Sequence, residues 1–263
     1  MSLDNVVRLA SPDPQFRGES FAVDPPHWEA PTGARAIAAA GRSAQSSVMI
    51  ASGRALTRAM RPRGEARLRA AVAAETGPVK VSFGAGTVDL PGWIDTDYTW
   101  RAEHCLDVTR PWPVPAGSVD FIYADQVIEH FPLEVGRAVL RYAFEALAPG
   151  GSIRLATPDV ERTARMYLER DSMCAAHLER DRTRGYSAEH PVDVLRITFS
   201  ENGHRFCFDF ASLDAELRRA GFVDVCRHEA GESDEPGFAG LEARVNETEV
   251  ATTLAVEASK PLG

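Results

Sequence analysis

The stretch "KVSFGAGTVDLPGWIDTDY" runs from an apolar segment, Val81 to Phe83, into two glycines, Gly84 and Gly86, and on to two carboxylates, Asp95 and Asp97. Residues of these types in this order describe a strand, a tight loop and a second strand ending on an acid. Glycine has no Cβ, so the loop backbone can approach a ligand closely. An acid at the end of the next strand can accept hydrogen bonds from paired hydroxyls, and Asp97 is favoured over Asp95, which is expected to point to the opposite face. A dinucleotide fingerprint would place a third glycine at position 89, under the pyrophosphate. The chain has Asp89 there, and the short link to Trp93 leaves little room for the helix such a site requires. Three histidines, His130, His190 and His204, fall near expected strand ends or in an expected insertion, where a general base would be sited.

Those residues need a framework. The 263 residues are 44% hydrophobic, enough for an α/β domain with additions. A net charge of −9 argues against a nucleic-acid backbone as the main partner. Cys105, Cys174, Cys207 and Cys226 form no C-x-x-C pair, so neither a zinc site nor a disulfide framework is expected, and a reducing cytoplasm is the default. The first residues lack a signal-peptide core, and no apolar run reaches membrane-spanning length.

Residues 1–31 hold five prolines and read as an extended or disordered arm. Residues 32–77 read as a basic helical extension. Between Thr32 and Glu75 eight arginines stand against two glutamates; such an arm could hold an anionic substrate or a membrane surface, but Ala and Arg are good helix formers and the acidic remainder of the chain offers an internal partner. From residue 78 short apolar runs end in turn signals: "KVSF", "GWIDTD", "EHCLDV", "VDFIYA", "SIRLAT", "VDVCRHE" and "TTLAVEA". Between them "LEVGRAVLRYAFEALAPGG" keeps Val135, Val139, Leu140, Tyr142, Ala143, Ala146 and Leu147 mostly to one face, and "SLDAELRRAGF" begins at a Ser212 cap and stops at Gly221. Alternation of this kind predicts a mostly parallel seven-stranded sheet with helices on both faces, whose ligands bind at the strands' carboxyl ends.

The series of the glycine loop, "GWIDTD", "CLDVT", "SVDFIYADQVIEHF" and "LAPGGSIRLATPD" resembles the class I S-adenosylmethionine-dependent methyltransferases. It is most similar to a subgroup reading roughly "LNLGCG, GWxNVD, DLT, LPFPDxSVDxIYxxHVLEH, LKPGGxxRIxxPD". The similarity covers Val79 to Asp159 and recurs weakly in "GHRFCFDFASLDAELRRAGF" and "GESDEPGFAGLEAR". It implies a Rossmann-like fold over 78–263, with the first helix reduced to a loop, and S-adenosylmethionine as cofactor. Phe83, Gly84, Ala85 and Gly86 would lie along its methionine portion and Asp97 at its ribose. Asp107 or Val108 would lie beside adenine, and Asp125 and Gln126 would line the methyl side. Methyl transfer in line from a sulfonium needs no metal in principle, only alignment and, for a hydroxyl acceptor, a base.

The expected insertion, about 160–210, is where a substrate cover belongs. Its stretch "DVERTARMYLERDSMCAAHLERDRTR" alternates charge like an exposed helix, and Phe206, Phe208 and Phe210 stand at strand spacing. His204 is the expected base, His130 a chiefly structural residue, and Met166 and Met173 core. The expected function is methyl transfer to a small molecule or glycan. The alternative is a methyltransferase-like module that binds or assembles without catalysis.

Overall fold

The computed structural model describes residues 56–263 apart from 87, 100, 202 and 243–246. The chain divides into two compact units, Met1–Ala51 and Ser52–Gly263, and only the second is described. The expected arm over 1–31 and the part of the basic extension before residue 56 lie outside the described residues. No helix among the described residues is long and apolar enough to cross a membrane.

All seven expected strands form: β1 (Lys80–Phe83), β2 (Ile94–Asp97), β3 (His104–Cys105), β4 (Val119–Asp125), β5 (Leu147–Pro158), β6 (Val223–His228) and β7 (Thr253–Ser259). They make one sheet of order β3-β2-β1-β4-β5-β7-β6. The pairs from β3 to β5 are parallel, and β7 runs antiparallel to both β5 and β6. Between β1 and β2 the described residues form turns only, so the first helix of a doubly wound fold is absent there, as the short link requires.

Residues 56–74 form helix α1. Its buried positions, Thr57, Gly64, Leu68 and Val72, recur at spacings that make one stripe. Gly64 is set by contact rather than by backbone conformation, since a Cβ on it would lie 2.4 Å from Cys105 Cβ. Helix α2 (Leu133–Ala146) buries Gly136, Val139, Leu140, Ala143 and Ala146; of the expected face, Val135 and Tyr142 are only half-buried and Leu147 already belongs to β5. Leu68 and Val72 of α1 join these residues in the main core.

The insertion is three helices, α3 (Val160–Glu169), α4 (Ser172–Thr183) and α5 (Val192–Ser200). The expected single charged helix breaks where Arg170 takes φ +51° and Asp171 caps α4 through the Cys174 N–H. Met166, Cys174, Leu178, Ala188, Val194 and Ile197 form a small core of the insertion's own, with Met173 packed on it. Helix α6 (Phe210–Ala220) starts two residues before the expected Ser212. Asp209 is the cap, and Ser212 closes a capping box from the third helical position. That cap also overturns the expected strand at Phe206, Phe208 and Phe210. Phe208 makes a single bridge to Asp159, and Phe210 is already helical.

Strand alternation divides the sheet's two faces unequally. Val81, Phe83, Ile122, Ala124, Ile153, Leu155, Leu254 and Val256 enter the main core together with α2 and Leu213 and Leu217 of α6. Their neighbours Ser82, Tyr123, Arg154 and Glu257 take the opposite face and are buried as well. The loop after β6 covers that second face. Phe238 and Leu241 pack on Tyr123, Phe121 and Trp93, with Trp93 and Phe238 stacked at 6.2 Å between ring centroids.

Arg154, fully buried, ties this loop down. Nε donates to Glu242 Oε1 at 2.8 Å and Nη2 to Glu242 Oε2 at 2.5 Å. Nη2 also donates to the Glu229 carbonyl at 3.3 Å, and Nη1 donates to the Glu232 carbonyl at 2.9 Å and to the Glu257 carboxylate. Every guanidinium N–H thus has an acceptor. Removing one partner of a buried, fully bonded ion pair typically costs about 3–5 kcal/mol, because the other charge stays buried without compensation. Arg154→Ala is therefore expected to lower unfolding free energy in urea by about that amount. A loss below about 1 kcal/mol, in the range of a surface pair, would show that the network does not hold the loop.

Candidate active site

The carboxyl ends of β1, β2 and β4 lie side by side, because these strands are parallel and adjacent. Gly84 has φ +71°, and a Cβ there would fall 2.4 Å from Val127 Cγ2, so only glycine lets β1 end against the segment that follows β4. Gly86, at φ +61°, faces open space, with no atom within 4 Å of where its Cβ would be. Its backbone N–H donates to Asp97 Oδ2 at 3.1 Å, and the Thr99 N–H donates to Asp97 Oδ1 at 2.9 Å. Asp95, two residues earlier and therefore on the same side of β2, is committed to structure. It accepts from the Ser82 hydroxyl and, at 2.8 Å, from the Leu90 N–H, which closes the loop. Partner choice, not facing, separates the two acids.

Two clefts adjoin this loop. One, of about 290 Å³, is lined by Ala85, Gly86, Asp97, Arg101 and His104 among others. The other, of about 320 Å³, is lined by Phe83, Gly84, Ala85, Asp125, Leu241 and Glu242 among others. Phe83 borders it while its side chain is buried in the main core, edge-on to Trp112 at 6.0 Å. Asp107 and Val108 line neither cleft. Val108 is buried, and Asp107 accepts from the Thr109 N–H at 3.3 Å and its hydroxyl at 2.6 Å. Asp107 also pairs with Arg61 of α1 at 3.2 Å, an internal partner for the basic helix.

At the end of β4 the chain changes direction. Gln126 takes φ +54°, a left-handed conformation that costs a residue with a side chain about 1–3 kcal/mol. Its N–H donates to the Ala156 carbonyl at 2.8 Å, which holds the turn. Asp125 lines the cleft with the glycine loop, whereas Gln126 lines a third cavity of about 240 Å³ on the side of the insertion. That cavity takes in His130, His177, Arg180, Tyr186 and His204.

His130 and His204 are neighbours, with ring centroids 5.1 Å apart and planes at 71°. The Glu129 carbonyl brings them together by accepting the Arg205 and Phe206 N–H groups at 2.7 and 3.1 Å. Glu129 itself is buried and accepts from the Thr157 hydroxyl at 3.0 Å. His204 places Nδ1 2.5 Å from the Thr198 carbonyl, so Nδ1 carries the proton and Nε2 is left as acceptor. Burial holds the pKa of His204 below the usual imidazole value; the bond to Thr198 opposes this and His130 adds to it. His130 is exposed, its ring edge-on to that of His204. His190 lies outside this cavity, exposed, its N–H bonded to Asp193 at 2.8 Å.

Sequence reading passed over His177 and Asp181. Both are buried, with His177 Nε2 3.5 Å from Asp181 Oδ2 and 2.8 Å from Arg180 Nη2. The i, i+4 spacing of His177 and Asp181 beside the apolar Cys174 and Leu178 was the available signal, masked by the charge alternation around it.

The methyltransferase-domain family matches residues 52–227, about two thirds of the chain, and the chain belongs to it. The match begins well before Val79, where the similarity read from sequence begins, and takes in α1. Among solved structures, a SAM-dependent methyltransferase from Archaeoglobus fulgidus is 15% identical over 76% of this chain and 94% of its own, with a TM-score of 0.42. The CurJ carbon methyltransferase is 15% identical over 70% of this chain, which spans 49% of that one, with a TM-score of 0.41. Haemonchus contortus phosphoethanolamine N-methyltransferase 2 is 12% identical, over 76% of this chain and 52% of its own, at a TM-score of 0.42. No curated protein matches the sequence significantly.

The pKa of His177 is pushed down to about 4, by burial first and then by Arg180, against the opposing pull of Asp181. In the unfolded chain the imidazole titrates near 6.5, so between 6.5 and 4 the unfolded state holds the extra proton. The stability from burying neutral His177 is therefore complete above pH 6.5 and lost as pH falls towards 4. Across this window wild type should lose more stability than His177→Gln, read from urea midpoints at each pH. Parallel curves for the two proteins would refute it.

Proposed function

We propose that this chain is an S-adenosylmethionine-dependent methyltransferase acting on a small molecule or glycan. The observation that carries the reading is the division made at the end of β4. Consecutive residues, Asp125 and Gln126, line cavities on opposite sides, one walled by the glycine loop and one by the histidine pair.

S-adenosylmethionine, when bound, supplies a methyl group on a sulfonium whose leaving group is already activated. The residues present fit it. Gly84, Ala85 and Gly86 offer backbone without obstruction at Gly86, for the methionine portion. Each Asp97 oxygen holds one backbone N–H and keeps a further lone pair, enough to accept ribose hydroxyls. Backbone around Asp107 and Val108 would border adenine, since the Asp107 carboxylate is engaged by Thr109 and Arg61. The strained Gln126 fixes the boundary across which the acceptor is aligned, and the insertion helices wall the acceptor's side of it. His204, neutral at pH 7 with Nε2 available, receives the acceptor's proton, and His130 orients beside it.

S-adenosylmethionine and its demethylated product should each raise the melting temperature. At about 100 times its dissociation constant a ligand stabilises by about 2.7 kcal/mol, a shift of roughly 5–10 °C for a domain of this size. Asp97→Ala should remove most of the shift while circular dichroism stays native. No shift and no heat with either ligand would end the cofactor assignment.

A screen of metabolite and glycan pools with mass detection of the added methyl identifies the acceptor. His204→Ala should then lower kcat by about 10²–10⁴-fold with cofactor affinity retained. Unchanged turnover would leave alignment alone as the mechanism. Cofactor binding with no transfer to any pool would favour a binding module.

A further inference from the structure

Far along the sheet from the histidine pair, β6 and β7 bring together a thiol, an imidazole and a carboxylate. Cys226 and His228 are two apart on β6 and so share a face, and Cys226 is the register partner of Glu257 on β7. Cys226 Sγ lies 3.1 Å from His228 Nε2, which is 3.3 Å from Glu257 Oε2. All three ligand atoms fall within 4.8 Å of one another. Around a tetrahedral zinc ion, with bonds of about 2.0–2.3 Å, ligand atoms stand roughly 3.3–3.8 Å apart, so small side-chain shifts would admit the ion.

We propose that Cys226, His228 and Glu257 form a binding site for a thiophilic divalent cation such as Zn²⁺. Three features of the surroundings support it. Both flanking strands belong to the sheet, so the backbone positions of all three donors are held by strand pairing. Arg154 donates to Glu257 Oε1 and leaves Oε2 towards His228, the kind of outer-shell bond that orients a ligating carboxylate. Burial and then the carboxylates of Glu257, Asp234 and Asp224 disfavour an uncompensated thiolate, with Arg154 opposing them, a cost that a bound cation would offset. Cys226 is exposed and His228 borders an open cleft shared with Asp234, so an ion has a path in and a fourth position for water. Sulfur, nitrogen and oxygen together select Zn²⁺ or Co²⁺ over Mg²⁺ or Ca²⁺, which prefer oxygen alone.

The test uses the full chain, freed of metal by chelation and kept reduced. Titration with Co²⁺ should produce a thiolate-to-metal absorption band together with visible bands of tetrahedral intensity, saturating at one equivalent and abolished by Zn²⁺. Cys226→Ser should remove the thiolate band and weaken Zn²⁺ binding at least about tenfold by calorimetry. His228→Ala should weaken Zn²⁺ similarly. Both residues lie at or near the surface, and a native melting curve confirms folding of each variant. Cys207→Ser and His204→Ala should leave the band intact, which separates this site from the cluster of Glu129, His130 and His204. Absence of a thiolate band in wild type, or its persistence in Cys226→Ser, would overturn the proposal and leave the three residues as a hydrogen-bonded cluster.

Discussion

The buried guanidinium of Arg154 is the constraint to which much of this structure answers. A charge in the middle of a sheet is tolerable only if every N–H finds an acceptor and the charge a counterion. Here β5 provides the arginine, β7 provides Glu257, and the loop after β6 provides Glu242 with the carbonyls of Glu229 and Glu232. That loop occupies a face beside β1 and β4 which lacks the usual first helix. Leu241 and Glu242 are thereby fixed as one wall of the cleft beside the glycine loop. Apolar packing of Phe238 against Trp93 and Phe121 adds area, but the arginine sets the position.

A second constraint acts at the end of β4. Asp125 ends the strand and the left-handed Gln126 turns the chain away, and these two adjacent residues line two separate cavities. The same turn leads into Glu129, whose carbonyl draws the far end of the insertion back to the sheet and sets His204 against His130. The cleft beside the glycine loop and the cavity of the histidine pair are thus joined by a short covalent path, Asp125 to His130, rather than by side-chain contact across a gap.

The strands were legible because buried parallel strands are written as short apolar runs between turn signals, and each of the seven runs became a strand. That the glycine loop would stand beside Asp97 was legible because the two are close in sequence and sit on neighbouring strand ends. What escaped notice depended on distance. Arg154 and Glu242 belong to separate similarity stretches, "SIRLATPD" and "GLEAR", and nothing local shows that they pair. Asp209 outcompeted Ser212 as a cap because its carboxylate takes the Ser212 N–H at 2.8 Å while the serine hydroxyl returns the bond, a reciprocity that spacing alone does not reveal. His177 and Asp181 were hidden by flanking charges that remain at the surface while these two turn inward.

The position of β7 between β5 and β6 bears on how the chain is made. Translation delivers β6 before β7, yet among the described residues β7 is the only strand with which β6 pairs. A nascent chain that has emerged through His228 therefore carries β6 without a partner, and Arg154 without Glu242 or Glu257. Long-range pairing of this kind is slow, and an unpaired strand edge is prone to associate with other chains. Synthesis thus passes through an interval in which the sheet is open at β5, and it closes in one step, when β7 arrives to satisfy both its neighbours and the buried arginine.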